Sequence, residues 1–462
     1  MNKIDLLKSR RSEILQAGSE IRKKIQQIVD EQSFVEFDSY SFSKNEFYDG
    51  NVGGEGVVTG SATINDNAVY VIAQNKEVLS GGITDANCKK IVKCQQKALR
   101  AGAPVIYLLD TAGVAVGEGV SVLEGIGEVL AMAQALKGEC VQVCITTGDV
   151  FGSFALLSAS CDFTFMTKTS CIAYASPLVI SAASGKNLPK EEVGGAKNNK
   201  NTGACTFEVA DLSEVRETVI RLIDTLPVYN GEVETMDDFN RATPSLNEKV
   251  CVNCLKEAVF DKEYFIEMNA GYAPEVVTGV ARIGGMAVGA IIFGGEDKGV
   301  ELDRANVSKI KEFLYFCDES QLPVVTFVNT LGIKADLATA NSPVMKEVAN
   351  LVYALYNLQV PRINVVYGKA VGLGYSLFAS KALGAEYSYA FATAKISLFD
   401  TAKGAMIELA GVTEANNAQA EAKYADEIQD PVNAARKGYI DDIIEPQFVR
   451  AHLISALQLI TR

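Results

Sequence analysis

Apolar residues along the chain follow two patterns that alternate. Near-continuous apolar runs rich in β-branched residues occur at NAVYVIAQN (67–75), PVIYLLDT (104–111) and VQVCITTG (141–148). They recur at MAVGAIIFG (286–294), PVVTFVNT (323–330) and RINVVYG (362–368). Runs this short and this apolar predict strands buried on both faces of a parallel sheet. Between them lie KKIVKCQQKALRAG (89–102) and SKIKEFLYFCDESQ (308–321). There apolar positions return every three or four residues among charges, which predicts amphipathic helices. Strands alternating with helices predict an α/β fold with a sheet flanked by helices.

The two halves carry the same pattern in the same register. VVTG at 57–60 returns at 276–279, Lys90-Ile91 returns as Lys309-Ile310, and Thr111 returns as Thr330, all at one identical spacing. Gly148 and Gly152 return as Gly368 and Gly372 at nearly the same spacing. A register held this long predicts duplication of one fold. Residues 227–250 are polar, acidic and contain proline, which is linker composition. The domains expected are 1–230, a linker at 231–250, and 251–462.

Composition narrows the function. The chain has 462 residues, 48% of them hydrophobic, enough for more than one core. Its net charge of −14 repels phosphate backbones and argues against nucleic-acid binding. No apolar run reaches membrane-spanning length, and the N-terminus lacks a signal-peptide apolar region. These features predict a cytoplasmic protein with no direct membrane insertion. The ten cysteines are scattered; Cys251-x-x-Cys254 is the one tight pair and has no second pair near it. Ordinary buried thiols are therefore expected, with no metal site. His452 is the only histidine and sits in an amphipathic helical stretch, which predicts a packing role and chemistry without a histidine base.

In each half the third strand runs into a glycine-containing turn and a helix of small residues. These are Gly148-Asp-Val-Phe-Gly-Ser-Phe-Ala155 and Gly368-Lys-Ala-Val-Gly-Leu-Gly-Tyr375. Such a turn points the first free N–H groups of the helix outward, where they stabilise negative charge. Two equivalent turns suggest a reaction that needs two oxyanion holes. Lys186, Lys190, Lys197 and Lys200 form a locally basic run that could meet a phosphate or be a solvated face. Glu118 could cap the helix that follows it or steer substrate.

The segments GEGVVTG (54–60), KIVKCQQKALRAGAPVI (90–106), DTAGVAVGEGV (110–120), GYAPEVVTGVARIGG (271–285), GKAVGLGY (368–375) and AARKGYIDDIIEP (434–446) resemble the carboxyltransferase component of biotin-dependent acyl-CoA carboxylases and decarboxylases. The resemblance covers nearly the whole chain. It implies two duplicated crotonase-like domains, each a parallel-sheet β-β-α superhelix, in a homo-oligomer between a dimer and a hexamer. It implies carboxyl transfer between carboxybiotin and the α-carbon of a small acyl-CoA. By position, the first oxyanion hole falls on the backbone amides of Ser153 and Phe154, the second on those of Leu373 and Gly374. Gly113, Gly152, Gly372, Tyr375 and Lys186 are the expected substrate-binding residues. The chain has no Ala-Met-Lys-Met biotinylation pattern, so the biotin carrier protein is expected to be a separate subunit. Biotin carboxylase or membrane decarboxylase subunits are the further partners implied. The family commonly has Gly-Gly where this chain has Ser153-Phe154, and arginine where it has Ala115. A phenylalanine beside the expected thioester, together with the other departures, motivates an alternative, a non-catalytic paralogue that scaffolds or regulates such a complex. A crotonase-like hydratase or hydrolase is the third reading; no acidic pair of the kind such enzymes use stands out.

Overall fold

The computed structural model describes residues 2–16, 18–41, 53–226, 235, 237–409 and 411–461. The chain separates into two compact units, 1–220 and 221–462. Of the expected linker, residues 231–234 and 236 lie outside the described residues. Leu246, near its end, is buried in the core of the second unit.

Among the described residues the first unit holds an eight-stranded sheet: β1 (Val35–Phe37), β2 (Val57–Ile64), β3 (Asn67–Gln74), β4 (Val105–Thr111), β5 (Gln142–Phe151), β6 (Phe163–Thr167), β7 (Cys171–Ala173) and β8 (Phe207–Val209). Its order is β1-β2-β3-β4-β5-β6-β8, with β7 beside the end of β5. The second unit holds β9 (Ile266–Met268), β10 (Val276–Ile283), β11 (Met286–Phe293), β12 (Val300–Leu302), β13 (Val324–Ile333), β14 (Arg362–Val371), β15 (Tyr387–Phe391), β16 (Lys395–Ser397) and β17 (Asp442–Ile444). Their order, β17-β15-β14-β13-β11-β10-β9, repeats the first sheet. Strands β3 to β6 are mutually parallel, as are β11, β13, β14 and β15.

Each sheet opens on an antiparallel hairpin, β2–β3 and β10–β11. Both hairpins close through two residues at positive φ, Asn65-Asp66 and Gly284-Gly285. That geometry matches the twist of the flanking strands, and Asn, Asp and Gly tolerate it best.

The predicted helices are present over Asp85–Ala101 and Arg304–Glu319. Each carries a buried lysine at the repeat position. Lys90 Nζ donates to the carbonyls of Gly54 and Val57; Lys309 Nζ donates to those of Asn269 and Tyr272. These bonds tie the chain leading into each hairpin to the helix behind it. Burial pulls both ammonium groups down, to about 8.

Arg450 and Asp261 form a buried ion pair 2.6 Å apart in the second unit. Asp261 also accepts from the Gly284 and Gly285 amides, so the pair anchors the hairpin turn to the C-terminal helix Val449–Ile460. Cys251 and Cys254, expected as ordinary thiols, are instead joined in a disulfide at the start of the helix Val252–Val259. The other eight cysteines are free.

Candidate functional site

β5 and β14 continue beyond Gly148 and Gly368, which the sequence placed in turns. Each of these glycines sits in a strand beneath a polar side chain. A Cβ on Gly148 would collide with the Asp110 carboxylate, and one on Gly368 with the Asn329 amide. Asp110, near the end of β4, and Asn329, inside β13, are repeat partners. Asn329 accepts from the Lys369 amide at 2.9 Å, and Asp110 accepts from the Asp149 amide at 3.3 Å. Glycine is required there for close approach rather than for a bend.

The turns fall four residues later, at Gly152 (φ 76°) and Gly372 (φ 52°). Both are pinned in the same way: Gly152 N–H donates to Ala173 O and Gly372 N–H to Ser397 O, each at 3.0 Å. The helices Ser153–Ser160 and Leu373–Phe378 start there. Among the described residues no acceptor takes the amides of Ser153, Phe154, Leu373 or Gly374. The structure thus brings Gly152 together with the Ser153 and Phe154 amides, and Gly372 with those of Leu373 and Gly374.

The Phe154 ring is fully buried and packs in the first core with Leu109, Val150 and Leu157. This corrects the expectation that it crowds the space in front of the amides. Gly374, its repeat partner, has no such room: a Cβ there would lie 2.6 Å from Thr330 Cγ2. Leu373 is exposed.

Gly113 (φ 111°) follows β4, and its amide donates to Thr111 Oγ1 at 3.0 Å. A Cβ on it would approach Phe151 O, at the end of the strand leading into the first turn. The sequence reading did not single out Gly332, its partner in the second half, although the repeat spacing points to it. Gly332 (φ 86°) donates to Thr330 Oγ1 at 3.0 Å. A Cβ there would lie 3.3 Å from Gly374 N and 3.7 Å from Leu373 N.

The remaining expected residues spread out. Lys186 is exposed just beyond the helix Pro177–Ser184. Lys190 pairs with Asp149 at 3.0 Å and Lys200 with Glu208 at 3.1 Å, so the basic run is partly neutralised. Glu118 accepts from the Asp85 amide at 3.0 Å. It therefore caps the start of the helix Asp85–Ala101. Tyr375 is half-buried and lines a depression of about 290 Å³ with Ser380, Lys381 and Tyr439; burial raises its phenol. His452 packs on Tyr389, with ring centroids 5.9 Å apart.

Apolar side chains stand exposed around both turns. They include Leu156 and Tyr174 in the first unit, and Leu373 and Leu398 in the second. Tyr174 and Leu398 directly follow the two residues whose carbonyls pin the turns. Among the described residues no cluster of three or more His, Cys, Asp or Glu side chains could hold a metal ion, and no helix is long and apolar enough to cross a membrane.

The family model for the carboxyl transferase domain matches residues 16–462. The chain is 30% identical to the propionyl-CoA carboxylase carboxyltransferase subunit of Haloferax mediterranei, across 99% of this chain and 96% of that one. It is also 30% identical to the methylmalonyl-CoA decarboxylase subunit alpha of Veillonella parvula, across 95% and 89%. Its fold is similar to that of the transcarboxylase 12S hexamer solved with methylmalonyl-coenzyme A and methylmalonic acid bound. The TM-score is 0.92 at 26% identity, over 99% of this chain and 96% of that one.

Proposed function

The chain belongs to the carboxyl transferase domain family and is an acyl-CoA carboxyltransferase; from this premise we propose that it moves a carboxyl group between carboxybiotin on a separate carrier protein and the α-carbon of a small acyl-CoA. The observation that carries the reading is the duplicated pair of unengaged amides, Ser153–Phe154 and Leu373–Gly374, at identically pinned turns.

In this reading the first domain, residues 1–230, takes the acyl-CoA. The Ser153 and Phe154 amides hold the thioester oxygen as it gains charge on the way to the enolate. They are fixed before reaction by the Gly152–Ala173 bond, so no reorganisation is needed when charge develops. Gly113 and Gly152 keep side chains away from the thioester, and Lys186 meets a phosphate of coenzyme A. Residues 251–462 take the biotin. The Leu373 and Gly374 amides suit a urea oxygen, since both are donors that no acceptor among the described residues takes. Tyr375 borders that side. Biotin, when bound, supplies the ureido nitrogen that carries the carboxyl group.

The exposed apolar residues around both turns suit coverage by another copy of the chain, which would shut water out of the site. We place the first domain of one copy against the second domain of another, in an assembly between a dimer and a hexamer. Biotin carboxylase or membrane decarboxylase subunits complete the partnership. The non-catalytic alternative rested on Phe154 and on the other departures from the family pattern; the burial of the Phe154 ring removes the first of these grounds.

The test is turnover of acetyl-, propionyl-, malonyl-, methylmalonyl- and glutaconyl-CoA by the purified chain with and without free biotin. Biotin-dependent decarboxylation of a carboxylated member supports the reading. A well-folded oligomer inert toward the whole panel refutes it.

A further inference from the structure

The second pair of amides has a wall that the first pair lacks. It is built from Thr330 and Gly332 near the end of β13. Thr330 is fully buried, and its Oγ1 donates to Val300 O at 2.7 Å while accepting from Gly332 N–H at 3.0 Å. One hydroxyl therefore fixes both β12 and the Gly332 backbone. Gly332 sits at φ 86°, where glycine carries no steric penalty. Its Cα lies against the Leu373 and Gly374 amides so closely that an added Cβ would come within 3.3 Å of Gly374 N. From the other side, a Cβ on Gly374 would lie 2.6 Å from Thr330 Cγ2 and 3.1 Å from Gly332 N.

The first unit repeats the hydroxyl–amide bond at Thr111 and Gly113 but not the tight approach. A Cβ on Gly113 would meet only Phe151 O within 4 Å, at 3.6 Å. A phenylalanine is accordingly accommodated at position 154, whereas its partner position 374 is glycine.

We propose that Thr330 and Gly332 are positioning residues for the second oxyanion hole: the Thr330 hydroxyl sets the Gly332 backbone, and Gly332 in turn sets the Leu373–Gly374 amides. The inference rests on the proposed function. It adds that the biotin side of the site is held by a close backbone packing that the acyl-CoA side does without.

The test uses the full chain and its biotin-dependent decarboxylation of a carboxylated acyl-CoA. Thr330→Val keeps the shape but removes the hydroxyl. It should lower kcat by about a hundredfold, the typical effect of a displaced oxyanion donor, and leave KM for the acyl-CoA within about twofold. Thr330→Ser keeps the hydroxyl and should retain more activity than the valine variant. Gly374→Ala should lose activity by collision with the Thr330 methyl. Adding Thr330→Ser removes that methyl and should restore at least tenfold of the loss. A general folding defect would not produce this rescue. Two results overturn the inference while leaving the functional reading intact: wild-type kcat in folded Thr330→Val, or Gly374→Ala unimproved by Thr330→Ser. A wild-type chain that turns over no acyl-CoA refutes the functional reading and the inference with it.

Discussion

A proline at position 153 separates the two things the first turn does, which are to start a helix and to present amides. Ser153 is the first residue of its helix, where proline is tolerated because the N–H there has no partner within the helix. The Cδ of a proline clashes with the N–H and Cβ of the residue before it when that residue is helical. Gly152 precedes it, has no Cβ and is not helical, with φ 76° and ψ −136°. The Ser153 side chain is partly exposed, so its loss should change stability by no more than about 0.5 kcal/mol. Function should respond differently. Removing one donor from an oxyanion hole lowers kcat by roughly 10² to 10³, or about 2.7–4 kcal/mol of transition-state stabilisation. Phe154→Ala makes the converse change. It keeps its amide and empties a fully buried site, which should cost about 3–5 kcal/mol of stability. The assay pairs thermal unfolding with kcat for a carboxylated acyl-CoA in the presence of free biotin. Ser153→Pro should unfold within a few degrees of wild type yet turn over poorly. Wild-type kcat in folded Ser153→Pro would refute the assignment of that amide.

Lys90 and Lys309 have folded pKa values of about 8, below the 10.5 of an exposed lysine. The unfolded chain therefore binds more protons between those values, and stability should be flat below pH 8 and rise from there towards pH 10.5, by roughly 3 kcal/mol per lysine. Replacing both by methionine should remove that slope in pH-dependent urea unfolding. Arg450→Met strands the buried Asp261 carboxylate and should cost about 3–5 kcal/mol, seen as faster hydrogen exchange across β10 and β11. Lys186→Ala should raise KM for the acyl-CoA a few-fold, leave kcat unchanged and weaken the salt dependence of KM, because an exposed ammonium contributes through screened attraction.

The central strands and amphipathic helices were legible because burial on two faces and burial on one face leave different periods in the sequence. The constant spacing between the halves exposed the duplication. The glycines were harder to read, since sequence shows a glycine but not the reason for it. Gly148 and Gly368 are glycine because Asp110 and Asn329 lie over them, a contact between residues far apart in the chain. Gly152 and Gly372 are glycine because the chain turns there with positive φ. Phe154 read as an obstruction because sequence gives the size of a side chain and not its direction. Glu118 reads as a cap for the helix that follows it or a guide for substrate, while the structure shows it accepting from the Asp85 amide, a residue far off in the chain. Gly332 was within reach of the repeat argument as the counterpart of Gly113, but the wall it forms against residues 373 and 374 is a property of packing alone.

The assignment of the first pair of amides is tested most sharply by the structure of this chain with a slowly reacting carboxylated acyl-CoA bound. The distance to measure is from the thioester oxygen to the Ser153 and Phe154 nitrogens. Both should lie within about 2.7–3.1 Å, the range for a working oxyanion hole. A thioester bound elsewhere, or those two amides closed by acceptors from the protein itself, would contradict it.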